Sequence, residues 1–244
     1  MKAIILAAGK GKRLHSEQFS LPKVLRQANG RPLLGYVTES LSFIDKKDTI
    51  IVVGYKREQV MEQFPGYVFA VQDEQLGTGH AVNMAKDILA DYNGPVLVCY
   101  GDMPLFTPDT YKNALLTHES ADADCTIITG ITDDKLAYGR IIRDENGKFV
   151  TVVEDKDCTP EQKLIKELNI GIYVFNSVKL FEALGNLRNN NAQGEYYLTD
   201  APELIRKNGG KIETYTINDG KQLLGVNTPE DLELCESILR ERAE

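Results

Sequence analysis

The sequence predicts an α/β fold with a mostly parallel, mixed sheet and helices on both faces. Three observations carry this. The first hundred residues alternate short apolar runs with segments of helical spacing. Those runs are continuous rather than alternating, as strands buried on both faces are. The later residues add a hairpin signal and isolated β-branched strands, which mix antiparallel pairing into the sheet.

Residues 2–8 form an apolar run that ends at a Gly pair, and read as a buried parallel strand. Residues 31–43 place Leu33, Leu34, Val37 and Leu41 at helical spacing. Residues 49–55 are β-branched and strand-like, and a short helix follows over 57–64. A strand is predicted at 67–72, a helix at 79–90 and a further buried strand at 95–100. Thr107-Pro108-Asp109 opens a helix, with Thr as N-cap, Pro at the first helical position and an acid in the first turn. Beyond it, 124–131 is a strand, and 140–143 with 148–154 flank Asn146-Gly147, a hairpin pair. Strands follow at 169–175 and 211–217. The last helix begins at Thr228-Pro229-Glu230-Asp231, with Leu232, Cys235, Ile238 and Leu239 on one face. No repeat or flexible linker interrupts the chain. One unit over 1–244 is expected, grading near residue 105 from one ligand-binding half to another over about 106–227, with 228–244 as the C-terminal helix.

Composition narrows the function. The net charge of −8 argues against a general nucleic-acid binder. Residues 1–31 hold Lys2, Lys10, Lys12, Arg13, Lys23, Arg26 and Arg31 against Glu17 alone, a local +6 that leaves −14 for the remainder. Such a segment focuses a small anion on an otherwise acidic protein. No apolar run approaches the roughly 20 residues of a membrane helix, and no signal peptide is legible. Four dispersed cysteines and three dispersed histidines, His15, His80 and His118, support neither a disulfide framework nor a zinc cluster. A reduced cytoplasmic setting follows.

Gly9 and Gly11 fall directly after the first strand, where an open α/β sheet binds ligands. Glycines there permit positive φ and bring N–H groups onto phosphate oxygens. Lys10, Lys12 and Arg13 add charge, and Arg13 can grip phosphate bidentately. The dinucleotide fingerprint fails because Leu14 replaces its third Gly, which weakens a dehydrogenase reading, and the Walker P-loop pattern fails as well.

The loop does not stand alone. Leu6-Ala-Ala-Gly-Lys-Gly-Lys-Arg13 with Leu21-Pro-Lys-Val-Leu25 resembles the start of the sugar-nucleotidyltransferase family. Further blocks follow in the family's order: Gln72-Asp-Glu-Gln-Leu-Gly-Thr-Gly-His-Ala81, Tyr100-Gly-Asp-Met-Pro-Leu105, Tyr138-Gly-Arg140 and Val153-Glu154-Asp-Lys-Asp157. Then come Glu167-Leu-Asn-Ile-Gly-Ile172, the run from Asn189 through Gln193-Gly-Glu-Tyr-Tyr-Leu-Thr-Asp200, and Gly225-Val-Asn227. They span nearly the whole chain, and within the family they are most similar to the uridylyltransferase domain of bifunctional N-acetylglucosamine-1-phosphate uridylyltransferase/acetyltransferases.

The resemblance implies a Rossmann-like sheet of the nucleotide-diphospho-sugar transferase type, with UTP and N-acetylglucosamine 1-phosphate as substrates and Mg²⁺ as cofactor. It assigns Leu6, Ala7, Ala8, Gly9, Gly11, Gln72, Gly77 and Thr78 to the nucleotide, with Gln72 on the uracil edge. Arg13, Lys23 and Asp102 would be catalytic, Asp102 and Asn227 would hold the metal, and Tyr100, Gly101, Gly139, Glu154 and Asn169 would hold the sugar. Each has a plainer reading: Asp102 as a turn residue, Asn227 as a shaper of the helix start, Glu154 as part of a solvated loop, Gln72 as a strand end facing water. His80 is read as capping or packing on its helix.

The chain departs from that branch at several points. Lys12 stands where Thr or Ser is usual, residues 15–20 are about three longer and could act as a flap, and Ile170 replaces a Thr near the sugar. The bifunctional members continue into a β-helix where this sequence ends at Glu244, which fits either a single-function enzyme or a piece of a longer one; the 225–232 ending also resembles free-standing nucleotidyltransferases, so the former is the expectation. A thymidylyltransferase or a glucose-1-phosphate uridylyltransferase is the nearest alternative, and a non-catalytic nucleotide-sugar sensor the alternative of another class. Homo-oligomer formation stays open.

Overall fold

A computed structural model describes residues 1–14, 16–134 and 136–243. His15, the first residue of the longer segment, lies outside the described residues. The chain opens with β1 (Lys2–Ala7), then a hairpin of β2 (Gln27–Ala28) and β3 (Arg31–Pro32), and α1 (Leu33–Ser40). There follow β4 (Thr49–Val53), α2 (Arg57–Gln63), β5 (Val68–Val71), α3 (Thr78–Asn83), β6 (Pro95–Tyr100) and α4 (Pro108–Ser120). The second half runs β7 (Cys125–Ile131), β8 (Gly139–Arg143), β9 (Phe149–Val153), β10 (Glu167–Asn176), α5 (Ser177–Leu184), α6 (Ala201–Lys207), β11 (Ile212–Ile217) and α7 (Pro229–Ala243).

The main sheet has the order β11-β7-β10-β6-β1-β4-β5, and the β8–β9 hairpin branches from β10. β1 pairs in parallel with both β4 and β6, β4 with β5, and β7 with β11. Along this path β10 runs against its neighbours β6 and β7, and the β8–β9 hairpin adds further antiparallel pairing. The chain builds outward from β1 through β4 and β5, then returns to place β6 on the other side. A crevice opens at that reversal, beyond the carboxyl ends of β1 and β6.

Alternate residues of each central strand enter different cores. Ile5, Ile51 and Leu97 pack on one face with Val37 of α1 and Ala114 of α4. Ile4, Ile50 and Val98 pack on the other with Val82 of α3, Leu180 of α5 and Ile205 of α6. Both faces are therefore covered, which is why these strands read as continuous apolar runs. A third cluster joins Cys235 and Ile238 of α7 to Leu33, Leu105 and Leu14. Leu14, which breaks the dinucleotide fingerprint, is fully buried there and anchors the far end of the glycine loop.

Several expected boundaries move. The helix predicted from residue 31 starts at Leu33, because Asn29 and Gly30 both take positive φ and turn β2 into β3. The helix predicted over 79–90 is α3 followed by a 3₁₀ turn at Asp87–Leu89; Ala81, Val82, Ala85 and Leu89 keep one buried face as the backbone tightens. Helices α5 and α6 were not foreseen. Asn176 caps α5 by accepting from the Val178 and Lys179 amides, and Pro202 sits in the first turn of α6. The Thr107 cap is as expected, its side chain accepting from the Thr110 amide.

Candidate active site

The glycine loop leaves β1 into a 3₁₀ turn over Lys12–Leu14, closed by the Leu14 amide donating to Gly11 O at 3.1 Å. Gly11 takes φ +69°, and a Cβ there would lie 2.7 Å from both Lys23 Cβ and Ser16 Oγ. Gly9 does not need positive φ, contrary to expectation, and no atom lies within 4 Å of the position its Cβ would take. The first glycine is thus open space toward a ligand, and the second is the hinge that lets Lys23 pack beneath the loop.

Lys23 follows Pro22 in a short 3₁₀ turn, and its ammonium donates to two oxygens. One is Asp102 Oδ2, in an ion pair with the side chains largely buried. The other is Asn227 Oδ1, at 2.9 Å. Arg13 Nη2 donates to the same Asn227 oxygen at 2.9 Å. The segments bearing these oxygens are tied together, since the Val226 amide donates to Asp102 O at 3.0 Å. Asn227 does precede a capping box: Asp231 Oδ2 accepts from the Asn227 and Thr228 amides, and Thr228 Oγ1 accepts from the Asp231 amide. Its side-chain oxygen nonetheless points away from the helix, at the cations. Two hard oxygen donors converging on one positive charge form the donor set a divalent cation takes, with remaining positions left for phosphate and water. Among the described residues no cluster of three or more His, Cys, Asp or Glu could hold a metal by itself.

Two cavities meet at this cluster. The first, about 350 Å³, is lined by Leu6, Ala7, Ala8, Gly9, Gly11, Gln72, Gly77 and Thr78, all expected at the nucleotide, by Lys23, expected to be catalytic, and by Glu195, which carries no expectation. The second, about 210 Å³, is lined by Gly139, Glu154 and Asn169, all foreseen for the sugar, and by Tyr138, Ile170, Gly171 and Thr199. Arg13, Tyr100, Asp102 and Asn227 line both.

The walls of the first cavity are fixed by backbone. Gly54 and Gly101 seat the ends of neighbouring strands against the loop: the Tyr55 amide donates to Ala8 O and the Gly101 amide to Leu6 O. Gly101 is the one predicted residue that lines neither cavity. It is buried, and a Cβ would meet Val24 at 3.0 Å and Leu34 at 3.2 Å, so its lack of a side chain serves close packing beneath the site. Gln72, 3% exposed, directly follows β5 and faces inward, not toward water. Gly77 (φ +113°) lies against the 195–197 backbone, where a Cβ would sit 2.6 Å from Tyr196 O. Thr78 Oγ1 accepts from the Leu198 amide at 3.0 Å. The nucleotide-side strip 76–79 is thereby strapped to the segment that carries Thr199 into the second cavity.

In the second cavity β10 bulges between Asn169 and Tyr173, a common device beside active sites. Gly171 takes φ +81°, and a Cβ would lie 2.6 Å from the Tyr100 ring. Asn169 is 3% exposed; it donates from Nδ2 to Tyr173 OH and accepts from the Gly171 amide. Burial pushes the Glu154 carboxyl above its ordinary range, and pushes the Tyr100 and Tyr138 phenols up as well. Glu154 is therefore a half-enclosed acceptor rather than part of a solvated loop. Thr199 Oγ1 is buried at the cavity and, among the described residues, has no partner in good hydrogen-bond geometry, but it lies near enough to Glu154 to offset part of that rise. Glu195 and Thr199 lie within the quoted 189–200 block, so the signal was present but unassigned; Gly171 and Tyr138 adjoin predicted residues.

Residues 2–220 match the family model described as nucleotidyl transferase. The chain belongs to the nucleotidyl transferase family. It is 46% identical over 241 residues to the bifunctional protein GlmU of Streptococcus thermophilus, and 45% and 44% identical to those of Streptococcus sanguinis and Streptococcus gordonii. Each match covers 98% of this chain and 52% of the relative, so this nucleotidyl transferase chain spans about half the length of those curated relatives. Its fold is that of a Bacillus anthracis protein described as a glucose-1-phosphate thymidylyltransferase and solved with a sucrose. The TM-score is 0.79 at 22% identity, covering 98% of this chain and 95% of the other.

Proposed function

We propose that this nucleotidyl transferase joins UTP to N-acetylglucosamine 1-phosphate, forming UDP-N-acetylglucosamine and pyrophosphate with Mg²⁺ as cofactor, in a cytoplasmic setting. One observation carries the proposal: the two cavities share a wall of Arg13, Tyr100, Asp102 and Asn227. A nucleotide in one and a sugar phosphate in the other would meet end to end at the cation cluster.

The incoming phosphate is already an anionic oxygen nucleophile, so no general base is needed. Its oxygen forms a bond to the α-phosphorus while the bond to the β-phosphate bridging oxygen breaks, and pyrophosphate leaves with that electron pair. The protein's work is alignment and charge neutralisation. Leu6 to Gly9 and Gly11 supply backbone to the nucleotide. Arg13 and Lys23 lie along the phosphates. Gln72 addresses the base edge, with Gly77 and Thr78 completing that pocket. Asp102 and Asn227 would hold the metal, which when bound offsets charge on the phosphate oxygens. Tyr100 and Gly139 shape the sugar pocket, Glu154 accepts from hydroxyls, and Asn169 pairs with a polar substituent.

The test is pyrophosphate release from the purified chain across UTP, dTTP and CTP, each with N-acetylglucosamine 1-phosphate and glucose 1-phosphate, with and without Mg²⁺. The expected result is Mg²⁺-dependent release that is fastest for UTP with the acetamido sugar. Faster release with glucose 1-phosphate would overturn the sugar assignment, and no release from any pair would overturn catalysis itself.

A further inference from the structure

Gln72 holds its carboxamide by one side only. Nε2 donates to Gly77 O at 3.1 Å and lies 3.1 Å from His80 Nδ1. A carbonyl oxygen can only accept, so the NH₂ end must face Gly77. That NH₂ offers hydrogens and no lone pair, so Nδ1 must be the unprotonated ring nitrogen of His80. Both amide hydrogens are then engaged. Oε1 is the atom of Gln72 left for a ligand in the first cavity.

We propose that His80 is a positioning residue that locks the Gln72 carbonyl outward and so makes the base pocket select a ring N–H, admitting UTP over CTP. This rests on the uridylyl-transfer reading above. Uracil carries a hydrogen on N3, whereas cytosine carries a lone pair there. An outward carbonyl oxygen attracts the first and repels the second. An unlocked glutamine would serve both bases, since rotating the amide presents NH₂ to cytosine. Discrimination therefore resides in what holds the amide, and two bonds hold it, one from Gly77 and one from His80. His80 sits on α3 and does not line the nucleotide cavity. Its ring instead borders a separate cavity with Leu76, Leu184, Leu187 and Tyr196, and it reaches substrate only through Gln72.

The experiment compares kcat/KM for UTP and CTP, with N-acetylglucosamine 1-phosphate as acceptor, in the wild type, Gln72→Ala, His80→Phe and His80→Asn. His80→Phe keeps a planar ring and removes the acceptor; the UTP:CTP ratio is expected to fall about tenfold, what one lost hydrogen bond gives, chiefly through the KM for UTP. His80→Asn places an acceptor oxygen near the Nδ1 position and should restore the ratio to within about threefold of wild type, a rescue that packing alone does not give. A His80→Phe ratio within about twofold of wild type overturns the lock. The ring nitrogen shifts of His80 in the wild-type chain provide a second measure that needs no variant to fold: a hydrogen on Nδ1 at neutral pH overturns the proposal. If Gln72→Ala loses the UTP preference while His80→Phe keeps it, the lock fails and the uridylyl-transfer reading stands. If the wild type turns over no nucleotide, both fail.

Discussion

Gly11→Ala tests how the glycine loop and the cation cluster depend on one another. The new Cβ would start 2.7 Å from Lys23 Cβ and from Ser16 Oγ, on a backbone held at φ +69°. The left-handed conformation alone costs a non-glycine residue about 1–2 kcal/mol. Relieving two close contacts adds about 1 kcal/mol, the lower end of overpacking costs. Stability in urea should therefore fall by about 2–3 kcal/mol. The same displacement moves Lys23, whose ammonium is held by Asp102 and Asn227, and a shift approaching 1 Å at a positioning group lowers turnover by roughly a hundredfold. Gly9→Ala is the control. Its Cβ meets nothing within 4 Å and its backbone is not left-handed, so stability should stay within about 0.5 kcal/mol even where the methyl hinders the nucleotide. Equal stability losses at the two glycines, or a Gly11→Ala chain with pyrophosphate release within about threefold of wild type, would refute the coupling.

Other perturbations separate the two cavities. Asp102→Asn keeps the shape of the shared wall but removes its charge; pyrophosphate release should drop by roughly a hundredfold or more in a variant that still folds by circular dichroism but melts lower, because Lys23 loses its counter-charge, and a fully active variant would exclude Asp102 as metal ligand. Gly171→Ala places a methyl 2.6 Å from the Tyr100 ring at φ +81°, and the KM for the sugar phosphate should rise about tenfold; an unchanged KM would show that Tyr100 yields freely. Asp200 has its carboxyl pushed from 3.8 to about 6, first by burial and then by Glu203, Glu154 and Asp157. Folding therefore retains its proton where the unfolded chain has lost it, and stability falls as pH rises from about 4 to 6. Asp200→Asn should gain about 1 kcal/mol at pH 7 relative to pH 4, the full linkage of about 3 being reduced for a half-buried group. Urea titrations showing equal gains at both pH values would contradict this.

The strands were legible because burial on both faces leaves an unmistakable pattern: every residue of Thr49–Val53 is buried, and so is all of β1 beyond Lys2. Short helices were harder. α5 and α6 have eight and seven residues, about two turns, too few for a 3.6-residue period to repeat convincingly. The cap residue Asn176 and the first-turn Pro202 were the usable signals. The antiparallel course of β10 could not be read locally, since an apolar strand buried on both faces looks the same in either direction. It follows from which strand the chain rejoins, a property of the whole topology.

The site divides along the same line. Residues whose chemistry is carried by a local run, such as the Gly9–Arg13 loop, were assigned from sequence and gather at one cleft. Gly101 was assigned with its neighbour Asp102, yet adjacency in the chain does not carry it to a cavity wall: its amide is committed to Leu6 O and its Cα to close packing. Glu195 and Thr199 were passed over for the converse reason. Their place follows from the strap in which Tyr196 pairs with Leu76 and Gly79 across more than a hundred residues, and no spacing along the chain encodes that. The strap also joins a wall of the first cavity to a wall of the second. Thr78 is fastened to Leu198, so the strip 76–79 beside the first cavity and the segment that carries Thr199 into the second are held as one piece of backbone.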